Sequence, residues 1–286
     1  MLLAEAVSPP LIFMINPKDF GKGYKKEKFK LKHLLRRRLN IHKKYLSASP
    51  IDVLAISKLF PVKNQGTSGS CGGQAWAYYL QVLKYLRDNT ITELSAHDIY
   101  SHCWTPPEGS DEGHLINFVE NSGADSEADV TSYMSGQPPT EQFMEQVLQR
   151  NEDVAFDNIV FQPITFGGDI NSIKTAINVG NGCVIAVYGD NQGWQTQNGV
   201  VEAPQSKDWG HWLFAVKADD STRLVTVKNS WGQEAGDNGY YYLPYSYFEN
   251  GNVMGGWIFQ LRPADYTVSL LEKIVQLYQN IISEIK

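Results

Sequence analysis

Hydrophobic positions follow a helical spacing in the first half of the chain and a strand-like pattern in the second half. Residues 74–87 contain no glycine and repeat apolar residues three and four positions apart, which predicts a buried helix. Shorter helices are predicted over residues 93–102 and 114–121, separated by a loop with proline and glycine. Four segments rich in β-branched and aromatic residues are predicted to be strands: 182–188, 212–217, 224–228 and 239–243. Helices first and strands later indicate an α+β fold.

The N-terminal part of the chain has a different pattern. The basic run 18–44 places four leucines on one helical face: Leu31, Leu34, Leu35 and Leu39. The sequence Ser-Ala-Ser-Pro at residues 47–50 is typical of a linker. We therefore expect a basic N-terminal segment over residues 1–50 and a separate folded body over residues 51–265.

The other end of the chain, residues 266–286, predicts an amphipathic helix. Two adjacent apolar lines run along this helix, so its apolar face is wider than docking to a single surface requires. Such a face is expected to contact a second subunit or another partner, or to be buried against the N-terminal segment. The sequence leaves these alternatives open.

The composition is that of a folded globular protein. Of the 286 residues, 42% are hydrophobic and 20% are charged, which excludes an intrinsically disordered chain. No stretch approaches the roughly 18 apolar residues of a membrane-spanning helix. Three cysteines are an odd number and cannot complete a disulfide framework, which excludes the small disulfide-stapled class of secreted domains. The start of the chain lacks the features of a secretory signal, so we expect a cytoplasmic protein.

The net charge of −6 conceals an asymmetry between the two parts of the chain. Residues 1–50 hold twelve Lys and Arg against three Asp and Glu, whereas residues 51–286 hold thirteen against twenty-eight. A basic arm on an acidic body can attract nucleic acid or anionic lipid, but it can equally pair with its own body. Because the second alternative needs no partner, we expect no nucleic-acid partner.

A glycine-rich stretch, residues 61–71, delivers a cysteine to the start of the long predicted helix. The N–H groups and the positive dipole end at a helix N-terminus stabilise a thiolate, which is the nucleophilic form of Cys71. The amide of Gln65, together with the Cys71 backbone N–H, would supply the pair of donors that an acyl-transfer oxyanion requires. The stretch therefore indicates a catalytic cysteine.

A base for this thiol is found far downstream. His211 lies 140 residues after Cys71 at the start of a predicted strand, and Asn229 follows it. An amide that accepts from one imidazole nitrogen orients the ring so that the other nitrogen faces the sulfur, and Trp231 would shield that hydrogen bond from water. Cysteine, histidine and asparagine in this chain order are a known variant of the catalytic triad.

The other cysteines and histidines have no comparable neighbours in the sequence. Cys103 and Cys183 are expected to be small core residues. A metal site built from Cys103, His97 and His102 is conceivable on one short helix. We do not favour it, because no fourth ligand stands at a suitable spacing.

Together these motifs resemble the papain family of cysteine peptidases. The likeness spans residues 51–260, and its three parts occur in the family's order at nearly its spacing: the stretch 61–71, the pair Gly210-His211 and the run Asn229-Ser230-Trp231-Gly232. The resemblance implies an α+β fold of two lobes, a helical lobe with the nucleophile and a β-rich lobe with the histidine and asparagine, with the substrate cleft between them. It implies catalytic roles for Cys71, His211, Asn229 and Gln65, without a cofactor or a metal.

The resemblance also implies residues that line the substrate cleft: Gly69, Ser70, Gly113, Trp209, Gly210 and Trp231. Trp209 would make the pocket for the second residue before the scissile bond shallow and apolar, so small or flat hydrophobic side chains are expected there. Gly113 is expected to bring its backbone close to an extended peptide.

Some residues depart from the family pattern. Ser68 stands where secreted members carry a cysteine whose partner Cys103 matches, so that bridge cannot form, as expected for a reducing compartment. Gly72 and Gly73 follow the nucleophile in place of the usual aromatic residue, and Trp76 is expected to refill the space. These departures resemble the disulfide-poor bacterial or intracellular branch of the family.

The sequence therefore predicts a cysteine endopeptidase that hydrolyses peptide bonds through a thioester on Cys71. Residues 1–50 are expected to form a short inhibitory pro-segment that crosses the cleft, and a merely solvated basic arm is the alternative. Two other functions stay open. The glycines after the nucleophile allow a catalytically silent binding protein of the same fold, and a thioester acyl transferase would share the first chemical step.

Overall fold

The computed structural model describes residues 24–25, 51–106, 109–121, 123–132, 140–148, 161–196 and 198–261. Its helices are α1 (Val53–Ser57), α2 (Cys71–Asp88), α3 (Ala96–Cys103), α4 (Glu112–Asn121), α5 (Glu141–Leu148), α6 (Ile170–Gly180) and α7 (Tyr245–Glu249). Its strands are β1 (Tyr24–Lys25), β2 (Ser110–Asp111), β3 (Phe161–Phe166), β4 (Cys183–Gly189), β5 (Trp209–Asp219), β6 (Leu224–Lys228), β7 (Tyr240–Pro244) and β8 (Val253–Leu261).

Six of the strands form one antiparallel sheet in the order β3-β8-β4-β5-β6-β7. Strand β5 lies inside this sheet, with β4 on one side and β6 on the other. The β4–β5 register places His211 opposite Val187 and Trp209 opposite Gly189. The start of β5 is therefore held rigidly beside the end of β4.

Helix α2 packs against β5 and joins the helices to the sheet in one core. The Tyr79 hydroxyl accepts a hydrogen bond from the Phe259 backbone N–H at 2.9 Å and donates to the Gly180 carbonyl at 2.9 Å. Trp76 lies against Phe259 with ring centroids 5.2 Å apart. Because buried polar groups are costly unless they are hydrogen-bonded, these contacts fix the helix against β8 in one position.

The predicted α+β class is confirmed, and the seven elements predicted from the pattern are found near their predicted bounds. The long helix begins three residues before the predicted start, at Cys71 itself. The helix predicted over residues 93–102 begins at Ala96, because the Ser95 side chain caps it by accepting from the Asp98 N–H at 3.0 Å.

The pattern missed strands β3 and β8 and helices α1, α5, α6 and α7. Strand β8 contains Gly255 and Gly256, and β3 contains Pro163, all of which lower the strand signal. Proline is tolerated in β3 because this strand lies at the edge of the sheet. Helices α6 and α7 lie among the strands in sequence, so the division into early helices and late strands is only approximate.

Several predictions concern parts of the chain that lie outside the described residues. These are the leucine-lined helix within residues 1–50, the C-terminal helix over residues 266–286 and the domain boundaries next to them. They stay predictions. Within the described part of the chain, no helix is long and apolar enough to cross a membrane.

Candidate active site

The segment before Cys71 is fastened to the segment that follows Asn229. The Gln65 backbone N–H donates to the Ser230 carbonyl at 2.8 Å, and the Ser230 hydroxyl donates to Gln65 Oε1 at 2.6 Å. Asn64 forms an antiparallel bridge with Trp231. Two motifs that are far apart in sequence are therefore in direct contact, as the resemblance requires.

A buried lysine anchors the same segment to the helical side. Lys63 forms an ion pair with Glu127, and its ammonium group also donates to the Leu94 carbonyl at 2.7 Å. Burial lowers the pKa of Lys63, and the nearby Glu127 carboxylate opposes that shift. The Lys63 backbone N–H donates to the Tyr78 hydroxyl at 2.7 Å. The position of Gln65, two residues later, is thus fixed on both sides.

The side-chain amide of Gln65 is fully buried. Its nitrogen donates to the Ser68 carbonyl at 2.7 Å, while its oxygen accepts from Ser230. These two bonds define which end of the amide is the donor. An amide nitrogen carries two hydrogens, so donation to Ser68 is compatible with donation to a second acceptor.

Cys71 is the first residue of α2. The residue before it, Ser70, occupies the N-cap position but makes no capping hydrogen bond with its side chain. The backbone N–H groups of a first helical turn and the positive end of the helix dipole favour negative charge at this end. The sequence prediction that Cys71 stands at a helix N-terminus is confirmed.

The two glycines after Cys71 are explained by close packing. A Cβ atom on Gly73 would lie 2.3 Å from the Ala96 carbonyl oxygen of α3, and one on Gly72 would lie 2.7 Å from Leu115 Cδ1 of α4. Leu115 supplies the side-chain atom nearest to a Cβ on Gly72, and the expectation that Trp76 refills the space of the missing aromatic ring stays a prediction. The glycines let α3 and α4 approach the start of α2, so they are a packing requirement and no sign of a damaged site.

His211 and Asn229 form the hydrogen bond that the sequence predicts. His211 Nε2 lies 2.8 Å from Asn229 Oδ1, and the Ser230 backbone N–H donates to the same oxygen at 2.7 Å. Because a backbone N–H can only donate, this oxygen is an acceptor, and Nε2 must carry the hydrogen. Nδ1 is then the basic nitrogen of the neutral imidazole.

Aromatic rings enclose this imidazole. Trp231 stacks on His211 with ring centroids 5.0 Å apart and an interplanar angle of 30°. Trp209 and Trp194 meet the imidazole edge to face, with centroids at 6.2 Å and 6.3 Å. The predicted shielding role of Trp231 agrees with this stacking, and Trp194 is an additional ring that the sequence analysis did not identify.

The start of α2 lies next to the strand that carries His211. A Cβ atom on Gly72 would lie 3.4 Å from Trp212 Cδ1, the residue after His211. Together with the bonds between Gln65 and Ser230, this packing gathers the predicted nucleophile, oxyanion donor, base and orienting amide in one region. The structure therefore brings together the four residues predicted to be catalytic.

The residues predicted to line the substrate cleft differ in their burial and in the secondary structure to which they belong. Gly69 and Ser70 are buried beside Cys71, whereas Trp209 and Gly210 are half-buried at the start of β5. Gly113 lies in the first turn of α4, so its backbone is helical and unsuited to extended pairing. The neighbouring backbone that pairs with an extended segment is β2, which is bonded to β1.

The site is closed in this structure. Cys71, Gln65 and His211 have no exposed surface. The sulfur is therefore out of reach of solvent in this state of the molecule. A substrate needs part of the surrounding structure to move before it reaches the sulfur.

The other thiols and histidines have structural surroundings. Burial raises the pKa of the Cys103 and Cys183 thiols well above the ordinary value, and none of the three cysteines, all of which lie in the described part of the chain, forms a disulfide. The His97 ring meets the Phe143 ring edge to face, and the His102 ring stacks on Phe118. Among the described residues no group of three or more His, Cys, Asp and Glu side chains is arranged to hold a metal ion.

A helix-terminal thiol, an oriented imidazole and a buried amide donor define a site for thiol-dependent acyl transfer. Residues 49–254 match the papain family cysteine proteases. The chain therefore belongs to the papain family.

Individual relatives agree with this assignment. The chain is 38% identical over 69 residues to an uncharacterised peptidase C1-like protein of Acanthamoeba polyphaga mimivirus. These aligned residues cover 23% of this chain and 22% of that protein. It is 26% identical over 194 residues to cysteine proteinase 3 of Dictyostelium discoideum, and the aligned residues cover 64% of this chain and 55% of that protein. The chain thus matches about a fifth and about half of the lengths of these two relatives.

A solved structure has the same fold. Xylellain, a cysteine protease from Xylella fastidiosa, matches with a TM-score of 0.63 at 20% sequence identity, over 86% of this chain and 97% of that one. At this identity the likeness concerns the fold alone. It agrees with the predicted arrangement of helices and a β-sheet around the site.

Proposed function

We propose that this protein is a cysteine endopeptidase in which Cys71 is the nucleophile and His211 is the general base. The observation that carries the proposal is the pair of hydrogen bonds accepted by Asn229 Oδ1, one from His211 Nε2 and one from the Ser230 N–H. They hold the imidazole in the tautomer that keeps Nδ1 basic. The Cys71 thiol at the start of α2 is the group from which this nitrogen would take a proton.

The reaction begins with transfer of the Cys71 proton to His211 Nδ1. The thiolate attacks the peptide carbonyl carbon, and the resulting oxyanion accepts hydrogen bonds from the Cys71 backbone N–H and the Gln65 amide. The imidazolium then protonates the leaving amine nitrogen as the C–N bond breaks, which leaves a thioester. A water molecule gives a proton to His211 and attacks the thioester. The C–S bond then breaks, the imidazolium returns its proton to the sulfur, and the carboxylic acid product leaves and loses its proton to solvent.

The N-terminal segment is the proposed cover of this site. Strand β1, residues Tyr24–Lys25, runs parallel to β2 in a two-stranded sheet and also lies against β5. Strand β5 carries His211, and β2 immediately precedes α4, whose Leu115 touches the start of α2. A segment in this position would add to the burial of the nucleophile and the base. The positive charge of residues 1–50 suits the acidic remainder of the chain.

A substitution within β1 tests the cover in the full-length chain. Proline lacks the backbone N–H that strand pairing uses, so Lys25→Pro is expected to loosen β1 from β2. We expect faster labelling of Cys71 by iodoacetamide and faster hydrolysis of a small peptide substrate. Lys43→Pro, a matched change in the same segment but outside β1, is the control. Equal labelling and activity in the two variants would contradict the cover.

The peptidase activity is tested by single substitutions in the opened chain. In the Lys25→Pro background, Cys71→Ala and His211→Ala are each expected to abolish hydrolysis of an unstructured protein substrate. Cys71→Ala is also expected to abolish stoichiometric thiol labelling. Hydrolysis that survives either substitution would contradict the assignment, and labelling without any hydrolysis would favour a binding protein.

A further inference from the structure

The connection between β4 and β5 brings a tryptophan from outside the sequence motifs against the catalytic imidazole. Trp194 is 1% exposed. Its ring meets the His211 ring at an interplanar angle of 84°, with centroids 6.3 Å apart, and meets Trp231 at 5.5 Å. Trp194 also touches Trp209 at 5.7 Å. It therefore contacts His211 and both of the other rings that enclose it.

The Trp194 ring is held in this position by a short chain of hydrogen bonds. Its indole N–H donates to the Tyr247 hydroxyl at 3.1 Å, and that hydroxyl donates to the Tyr188 carbonyl near the end of β4. A Cβ atom on Gly189 would lie 2.8 Å from the Trp194 indole nitrogen. The absence of a side chain at Gly189 thus lets the indole lie directly over the strand end.

A single buried carboxylate closes the connection that carries Trp194. Asp190 Oδ1 accepts from the Gly193 N–H at 2.7 Å, while Oδ2 accepts from the N–H groups of Gln205 at 2.6 Å and Ser206 at 3.3 Å. Asp190 is 5% exposed. Its carboxylate therefore joins the residue before Trp194 to the far end of the same connection, and hydrogen bonds to an ionised acceptor are among the stronger ones.

We propose that Trp194 is a positioning residue for His211 and that Asp190 fixes the loop that presents it. The imidazole has one ring stacked on it and two rings against it edge to face, so it cannot turn away from Asn229 unless an indole moves. The same rings keep water from the hydrogen bond between His211 Nε2 and Asn229 Oδ1. The proposal rests on the proposed function, because it assigns to His211 the role of the base.

The consequence for the reaction is a loss of orientation rather than a loss of binding. If Trp194 is shortened, the imidazole gains a second orientation and water competes for Asn229. The base is then misplaced relative to the sulfur. A misplaced catalytic group lowers the rate of the chemical step by about tenfold to a hundredfold. Trp194 itself donates no proton and contacts no reacting atom.

The test compares Trp194→Leu with Trp257→Leu in the Lys25→Pro chain. Trp257, on strand β8, is a matched control, because it is 2% exposed and its ring packs against another tryptophan, Trp212 of β5. The first readout is the imidazole Nε2–H resonance of His211 in a chain labelled with ¹⁵N-histidine, assigned by its loss in His211→Gln. The second is the split between kcat and KM for hydrolysis of a small peptide.

We expect Trp194→Leu to broaden the Nε2–H resonance by exchange with water and to lower kcat about tenfold to a hundredfold with KM within about twofold. Trp194→Phe is expected to recover part of kcat, because it restores a ring, and Asp190→Asn to change both readouts in the same direction by a smaller factor. Trp257→Leu is expected to keep the resonance and kcat. If Trp194→Leu matches Trp257→Leu in both readouts, the proposal is wrong.

This outcome is distinguishable from a failure of the proposed function. If the Lys25→Pro chain shows neither hydrolysis nor a protected His211 resonance, the assignment of His211 as the base has failed. If it shows both and Trp194→Leu preserves them, only the role of Trp194 is overturned.

Discussion

The two sides of the site are built by opposite means. On the nucleophile side, residues 61–73 are mostly small, and α3 approaches so closely that a side chain on Gly73 would collide with its backbone, while one on Gly72 would press on the end of the Leu115 side chain of α4. On the imidazole side, large rings surround His211. A nucleophile needs room for a substrate and donors for charge, whereas a base needs a fixed orientation and protection from water.

A buried lysine lies on each side, and the two lysines have different kinds of partner. Lys63, on the nucleophile side, is neutralised by the carboxylate of Glu127. Lys228, on the imidazole side, donates to the carbonyls of Ser57 at 2.8 Å and Phe60 at 2.7 Å and lies over the Tyr78 ring. One lysine is held by an opposite charge and the other by dipoles and a ring, so their responses to pH should differ.

The largest effect is expected at the point where the two sides meet. Gln65→Ala should lower kcat by about a hundredfold to a thousandfold, because it removes the proposed oxyanion donor. Ser230→Ala is the matched control, since it removes only the hydroxyl that donates to Gln65 Oε1. Steady-state peptide hydrolysis in the Lys25→Pro chain measures both. Equal losses in the two variants would mean that Gln65 acts only through its contact with Ser230.

On the imidazole side, Asn229→Ala should lower kcat by about tenfold to a hundredfold. This substitution removes the acceptor of the His211 Nε2–H, and a hydrogen bond to a charged partner is worth about 1.5–3 kcal/mol. The same assay measures it, with circular dichroism to verify folding. Unchanged kcat in a folded Asn229→Ala chain would show that the rings alone orient the imidazole.

On the nucleophile side, Gly73→Ala should lower the free energy of unfolding by about 2 kcal/mol. The added methyl group would lie 2.3 Å from the Ala96 carbonyl oxygen, and the resulting backbone shift outweighs the better helix propensity of alanine. An added Cβ in Gly72→Ala would crowd the flexible end of Leu115 at 2.7 Å and make ordinary contacts with Ser110 and Trp212 at 3.4 Å, so it should change the stability by less than about 1 kcal/mol. Urea unfolding compares them, and equal stabilities would argue against tight packing at α3.

The smallest effect concerns Lys228, whose pKa is lowered by burial to about 7, from an ordinary value of 10.5. Between these values the unfolded chain binds more protons than the folded one, so the penalty for burying Lys228 is complete below pH 7 and decreases as the pH rises. From pH 7 to 9 the free energy of unfolding should therefore rise more steeply in the wild type than in Lys228→Met. The difference should be about 1 kcal/mol per pH unit.

Urea unfolding at several pH values measures this difference. Parallel profiles of the two proteins would show that Lys228 keeps its ordinary pKa in the folded state. A wild-type profile that falls with pH relative to Lys228→Met would give the opposite sign and contradict the burial argument.

The candidate catalytic residues could be predicted from the sequence more readily than the residues that surround them in space. Cys71, His211 and Asn229 could be found because each stands beside short residue patterns whose chemistry is local. Trp194 could not be found in this way, because its contact with His211 depends on how the loop between β4 and β5 folds back. That path is set by Asp190, which resembles any other loop aspartate in the sequence.

The strands show the same limit. Strands β4 to β6 carry continuous apolar or β-branched runs and were predicted, whereas β3 and β8 contain residues that disfavour strands. Strands β3 and β8 pair with each other, and β8 also pairs with β4. The pairing of Gln65 with Ser230 is likewise a tertiary contact. Neither kind of contact leaves a periodic signal along the chain.

The pH dependence of Cys71 alkylation by iodoacetamide tests most directly whether the sulfur and the imidazole work as a pair. In the Lys25→Pro chain we expect nearly the same rate at about pH 6 as at about pH 8, because an imidazolium beside the sulfur lowers the pKa of the thiol. In Lys25→Pro with His211→Gln the rate should instead rise between these two pH values, because the thiol then lacks the imidazolium that lowers its pKa. The same pH profile in both chains would contradict the account.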